Sequence, residues 1–133
     1  VLLAWAYYHF YNKNFSESHD CIQKMSFKIF KHTFRAKSLF IRIHFELFLL
    51  DKNYFQVLNA QIAAFEKYIY RKSNLSQIKK DAYLNLSRML KKIATVYVLH
   101  RPDKELKSKW LEELNADKPH AVKKWLENKI QNL

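Results

Sequence analysis

Glycine is absent from all 133 residues, and proline occurs only twice. Tight β-hairpin turns depend on positive φ, which glycine supplies without steric penalty, so a strand-rich fold is disfavoured. Phosphate-cradling loops of the Walker and dinucleotide types cannot be written without glycine either. Cysteine is nearly as scarce. Cys21 stands alone, which rules out an internal disulfide and a thiolate-rich metal site and suits a reducing, cytoplasmic setting. Long apolar runs are missing too. The first, "VLLAWAYYHFY", falls short of the ~20 residues of a membrane span, and no basic flank or cleavage site accompanies it. With Val1 rather than Met at its start, the chain reads as the C-terminal part of a longer protein, beginning inside a helix.

What is present points to a packed helical chain. Hydrophobic residues make up 49% and aromatics 16%, enough for a real core and against disorder. Helical spacing of apolar residues recurs throughout. Residues 2–12 are too densely apolar for a single buried face, which predicts cover on two sides. From Phe15 the stripe runs through Ser18, Ile22, Met25 and Ile29. A third segment, about 33–50, aligns Ala36, Leu39, Phe40, Ile43, Leu47 and Leu50, while Ile41, Phe45 and Phe48 fall off that stripe and again predict burial on two sides. The fourth, about 54–71, aligns Phe55, Leu58, Ile62, Phe65 and Ile69. Ser73 or Ser76 can cap the fifth, whose stripe is Ile78, Ala82, Leu86, Met89, Leu90, Ile93 and Tyr97. Pro102 with Asp103, and Asp117 with Pro119, are expected to open two shorter closing helices, carrying Leu106, Trp110, Leu111 and Leu114, then Val122, Trp125, Leu126 and Ile130. The expected fold class is all-α with about seven helices, forming one domain over 1–133: longer helices over 1–99 and a closing hairpin over 100–133.

Two stretches resemble one another. "FYNKNFSES" at 10–18 and "LLDKNYFQV" at 49–57 each break an apolar run with a Lys-Asn-aromatic turn, and their aromatics, Phe15 and Tyr54, lie 39 residues apart. Overlaying them pairs Ser18 with Val57, Cys21 with Ala60 and Met25 with Ala64, small or apolar residues suited to a close helix–helix contact. Helical hairpins that cannot bury their faces alone stack into solenoids. These turns resemble the inter-helix turn of tetratricopeptide repeats. The stretches "YIYRKSNLS", "DAYLNLSRMLKKI" and "KPHAVKKWLENKIQNL" are similar to the C-terminal region of large tetratricopeptide-like proteins of bacteria. The resemblance implies antiparallel hairpins stacked as an α-solenoid, with the first and third helices lining a face for a protein partner. Asparagine would supply the left-handed backbone that glycine usually gives these turns.

No catalytic constellation stands out. The six histidines, His9, His19, His32, His44, His100 and His120, form no i, i+4 pair and no HExxH, so no metal or other cofactor is expected. His44, on an apolar helix, reads as a satisfied or half-buried side chain. Cys21 sits where a small packing residue belongs, and Glu46 is spaced to pair with Arg42. An enzyme is therefore not expected.

Charge is the remaining signal. The formal charge is +12, with six Lys/Arg and no acid between Ile22 and Phe45, and eight Lys/Arg against Asp81 alone from Lys67 to Lys92. The leading expectation is a non-enzymatic scaffold that offers a basic, helix-lined surface to an acidic protein segment. Arg35, Arg42, Lys80, Arg88, Lys91 and Lys92 are its candidate contacts. The alternative is a nucleic-acid-binding protein using stretches 24–42 and 67–92 against phosphates. Single-strand binding would also need exposed aromatics, yet the aromatics here fall mostly on apolar stripes.

Overall fold

A computed structural model of the chain describes residues 1–25, 30–72, 74–99, 103–116 and 119–133, without the side chains of residues 30–32. The regular structure of the described residues is all helical, with no strand: α1 (Leu2–Tyr11), α2 (Phe15–Gln23), α3 (Phe30–Leu50), a 3-10 turn (Lys52–Tyr54), α4 (Phe55–Arg71), α5 (Gln77–Leu99), α6 (Lys104–Asn115) and α7 (Lys123–Gln131). No described helix is long and apolar enough to cross a membrane. The chain divides into two compact units, Val1–Gln61 and Ile62–Leu133, with the boundary inside α4.

In the first unit, α1, α2 and α3 pack on one another. Ser18 and Ala6 are fully buried where α1 meets α2, and the Ser18 hydroxyl donates to the Ala6 carbonyl at 2.6 Å. A larger side chain at either position would hold the helices apart. The expected small-residue contact is present in this hairpin. Its counterpart differs: Val57, Ala60 and Ala64 are exposed, because α4 buries Leu58, Ile62, Phe65 and Ile69 instead.

The two look-alike turns are also built differently. In the first, Lys13 takes the left-handed conformation (φ 62°), while its asparagine neighbours keep negative φ. In the second, Asp51 is extended and its carboxylate accepts the Asn53 N–H at 3.0 Å, capping the 3-10 turn without any positive φ. Asparagine supplies the left-handed backbone in neither turn. A glycine-free chain thus makes similar turns by two routes, a left-handed lysine and an aspartate cap.

Helix α3 meets its expectation. Ala36, Leu39 and Ile43 on one side and Ile41, Phe45 and Phe48 on the other are all buried, whereas Leu50 is exposed. Helix α1 does not. Only Ala6 and Phe10 are buried, and Trp5, Tyr8 and Tyr11 face solvent, since α2 and α3 cover a single side. Helix α2 is also shorter than its pattern suggests, ending at Gln23, so that Met25 follows it in irregular backbone.

In the second unit, Ser76 caps α5, its hydroxyl accepting the Lys79 N–H at 3.3 Å. Leu86, Met89, Leu90 and Ile93 form the buried stripe, but Ile78, in the first turn, is 72% exposed. Asp103 caps α6 by accepting the Glu105 N–H at 2.9 Å. Pro119 does not start the last helix. Residues 119–121 run alongside α5, where the Pro119 carbonyl accepts from Asn85 Nδ2 (2.8 Å) and the Ala121 N–H donates to the Ala82 carbonyl (3.1 Å). Both bonds commit this backbone to α5, so α7 starts later, at Lys123. Ile29, Ser73, His100, Pro102 and Asp117 lie outside the described residues.

Val122, at the start of α7, adopts φ 49° and ψ 48°. Left-handed backbone costs an L-residue roughly 1–2 kcal/mol, and a β-branched side chain makes it worse. Asparagine tolerates that conformation. Val122→Asn is therefore expected to stabilise the protein by about 1 kcal/mol, and thermal melts of the two proteins check it. A lower melting temperature for the variant would mean that the apolar contacts of Val122 outweigh its backbone strain.

Candidate functional surfaces

The exposed face of α1 is the most unusual surface of the first unit. Ala4, Trp5, Tyr8 and Tyr11 recur at helical spacing opposite Ala6 and Phe10. Trp5 is 52%, Tyr8 55% and Tyr11 68% exposed. Residues 1–12 contain no Lys, Arg, Asp or Glu, so this face is uncharged in a chain of formal charge +12. Ring contacts order it: Trp5 and Tyr8 meet edge-on at 5.5 Å, Tyr8 and His9 at 5.4 Å, and Tyr7 stacks on Tyr11 at 6.2 Å. The sequence shows these residues as apolar. It carries no signal that they stay uncovered, because cover is set by helices far away along the chain.

The candidate cations are distributed unevenly. Arg35 is exposed on α3 and lines a cleft of about 560 Å³ with Leu2, Leu3, Tyr7 and Met25. Arg42 is 4% exposed, and its guanidinium lies 4.7 Å from the centre of the Phe10 ring. A partner cannot reach it, so Arg42 is a packing residue that ties α3 to α1. The lysines and arginine of α5 are accessible. Lys80 is half-buried, and exposed Arg88 donates from Nη1 to Asn85 Oδ1 at 3.1 Å. Lys91 Nζ lies 2.5 Å from Glu66 Oε1, and Lys92 Nζ 3.5 Å from Glu113 Oε2.

Lys91 and Lys92 also share a cleft of about 560 Å³ whose apolar lining includes Val96, Leu99, Leu106 and Trp110. Of the six candidates, these two are brought together at one concavity. The lysine ends of their ion pairs are 46% exposed, whereas Glu66 is 17% and Glu113 33% exposed.

Elsewhere in the second unit, Tyr70 is 61% exposed near the end of α4, between exposed Lys67 and Arg71. Among the described residues, no three of His, Cys, Asp and Glu converge as metal ligands. Cys21 is half-buried.

His44 departs from its expected satisfied state. It is 3% exposed, and neither ring nitrogen has a hydrogen-bond partner among the described residues. Aromatic rings surround it instead: Phe40 edge-on at 4.5 Å, His19 edge-on at 5.2 Å and Tyr54 stacked at 5.9 Å. Burial, reinforced by the charge that His19 can carry, pushes its pKa down to about 4.

No protein-family model, curated protein or solved structure matches the chain.

Proposed function

We propose that the chain is a non-enzymatic interaction module of the tetratricopeptide-like kind, built from stacked helical hairpins that hold a protein partner. The uncharged aromatic face of α1 carries this reading. Contiguous exposed apolar surface marks interaction sites, and Trp and Tyr dominate binding energy where they are desolvated by a partner. Arg35, exposed on α3, supplies a cation for an acidic residue of the bound segment. On α5, Lys91 and Lys92 offer an apolar cleft with two ammonium groups. The small Ser18–Ala6 contact supports the hairpin part of the reading, and the lone thiol of Cys21 fits work in the cytoplasm.

The test compares partners co-purified with the wild-type chain and with Trp5→Ala/Tyr8→Ala, followed by titration of any partner lost. Hot-spot aromatics contribute about 2 kcal/mol or more, so affinity should fall by about 30-fold or more. Equal affinity for both proteins would remove α1 from the site.

A second reading rests on Tyr70. An exposed ring flanked by Lys67 and Arg71 can stack a base while the cations contact phosphates, as single-strand binding needs. Tight binding of a labelled oligonucleotide, weakening steeply with salt, would favour it over the protein-partner reading.

A further inference from the structure

We propose that the His19–His44 contact is a proton-operated latch between α2 and α3, closed while the His44 ring is neutral and opened when it takes up a proton. This regulation lies outside the interaction reading and does not depend on it.

A neutral imidazole presents one donor and one acceptor, and an imidazolium presents two donors and a charge. His44 has nowhere to place either. Its ring is enclosed by Phe40 on its own helix, by Tyr54 from the 3-10 turn and by His19 from α2. Of these neighbours, Phe40 carries no charge and Tyr54 presents a phenol ring. His19 is the group that can become cationic, and its charge works against a proton on His44. An acid does lie nearby, but on the wrong residue: Asp20 Oδ1 is 4.0 Å from His19 Nδ1, with the aspartate side chain 66% exposed. That carboxylate lies against His19 and leaves His44 without an acid of its own.

The His19 side chain is 20% exposed. A proton on His44 would place a cation inside an aromatic cage, in edge-to-face contact with a second ring that can carry charge. Water must then reach His44, and the element that can yield is α2, a nine-residue helix that brings His19 to the site. Because the folded state holds His44 below its unfolded pKa of 6.5, stability from this site is complete above pH 6.5. It is lost as pH falls through that value towards about 4.

Amide hydrogen exchange, corrected for the intrinsic effect of pH, provides the test. Between pH 7 and pH 4.5, protection of the α2 amides in the wild-type chain should fall by roughly 50- to 100-fold through this linkage. Helix α6, which contains no histidine, serves as the internal reference. His44→Phe should abolish the fall. Unchanged protection in the wild-type chain, or an equal fall in the variant, overturns the latch. A readout on the wild-type protein alone covers a variant that fails to fold. The His44 ring proton followed by NMR should titrate well below 6, and His19→Asn should raise its midpoint by removing the opposing charge. A midpoint at or above 6 overturns the proposal.

Discussion

Arg42→Glu should unfold the first unit, while Arg88→Glu should leave helicity and melting temperature close to wild type. The sequence presents both as cations within basic stretches, yet Arg42 is 4% exposed and Arg88 is open to solvent. A carboxylate at position 42 would be buried inside a run, 41–46, in which every residue is buried. It would also approach the Phe10 ring that the guanidinium now covers at 4.7 Å. The ring face is negative, so it attracts the arginine and repels a carboxylate. Burying an unpaired charge costs several kcal/mol. A unit of about sixty residues has a total stability of only roughly 3–9 kcal/mol, at ~0.05–0.15 kcal/mol per residue. Circular dichroism and thermal melts decide the matter. Arg42→Met, which keeps the stem and drops the charge, should remain folded and so shows that the loss is electrostatic. A melt of Arg42→Glu matching wild type would refute the burial of this side chain.

Phe45→Ala should cost about 3–5 kcal/mol, the usual range for emptying an aromatic site in a core. Phe45 is fully buried, and its ring lies 6.1 Å from that of Phe48, one turn along the same helix. Leu50→Ala supplies the contrast. Leu50 ends the same helix with an equally apolar side chain, but it is 75% exposed, and its removal should stay within about 0.5 kcal/mol. Urea denaturation separates the two. The Phe45 variant should unfold at markedly lower urea with an unchanged slope, since the surface exposed on unfolding is nearly the same. Equal midpoints for the two variants would mean that α3 is not the central element of its unit.

Local chemistry made much of the helical framework legible in advance. Absent glycine and scarce proline removed the usual turn and strand devices, and 3.6-residue spacing marked the helices. The Ser76 and Asp103 caps followed from side chains that reach backbone N–H groups two or three residues ahead. The stripe Leu58–Ile62–Phe65–Ile69 and the two-sided burial of α3 were readable because density and spacing fix the angular position of each side chain.

Tertiary structure decided what covers each face, and most of the candidate surface depends on that. Residues 1–12 are apolar nearly all round, yet packing by α2 and α3 buries one side and leaves Trp5, Tyr8 and Tyr11 in water. Arg42 looks like a surface cation until Phe10, 32 positions earlier, is placed beneath it. Pro119 looks like a helix start until its carbonyl is taken by Asn85. His44 acquires its depressed pKa from burial, to which Tyr54 and His19 from outside its own helix contribute, and from the charge that His19 can carry. The sequence by itself determined that helices form and where their apolar residues point, because those depend on near neighbours. Which apolar residues remain exposed, and which charges are buried, only the tertiary structure decided, because desolvation depends on distant segments brought into contact.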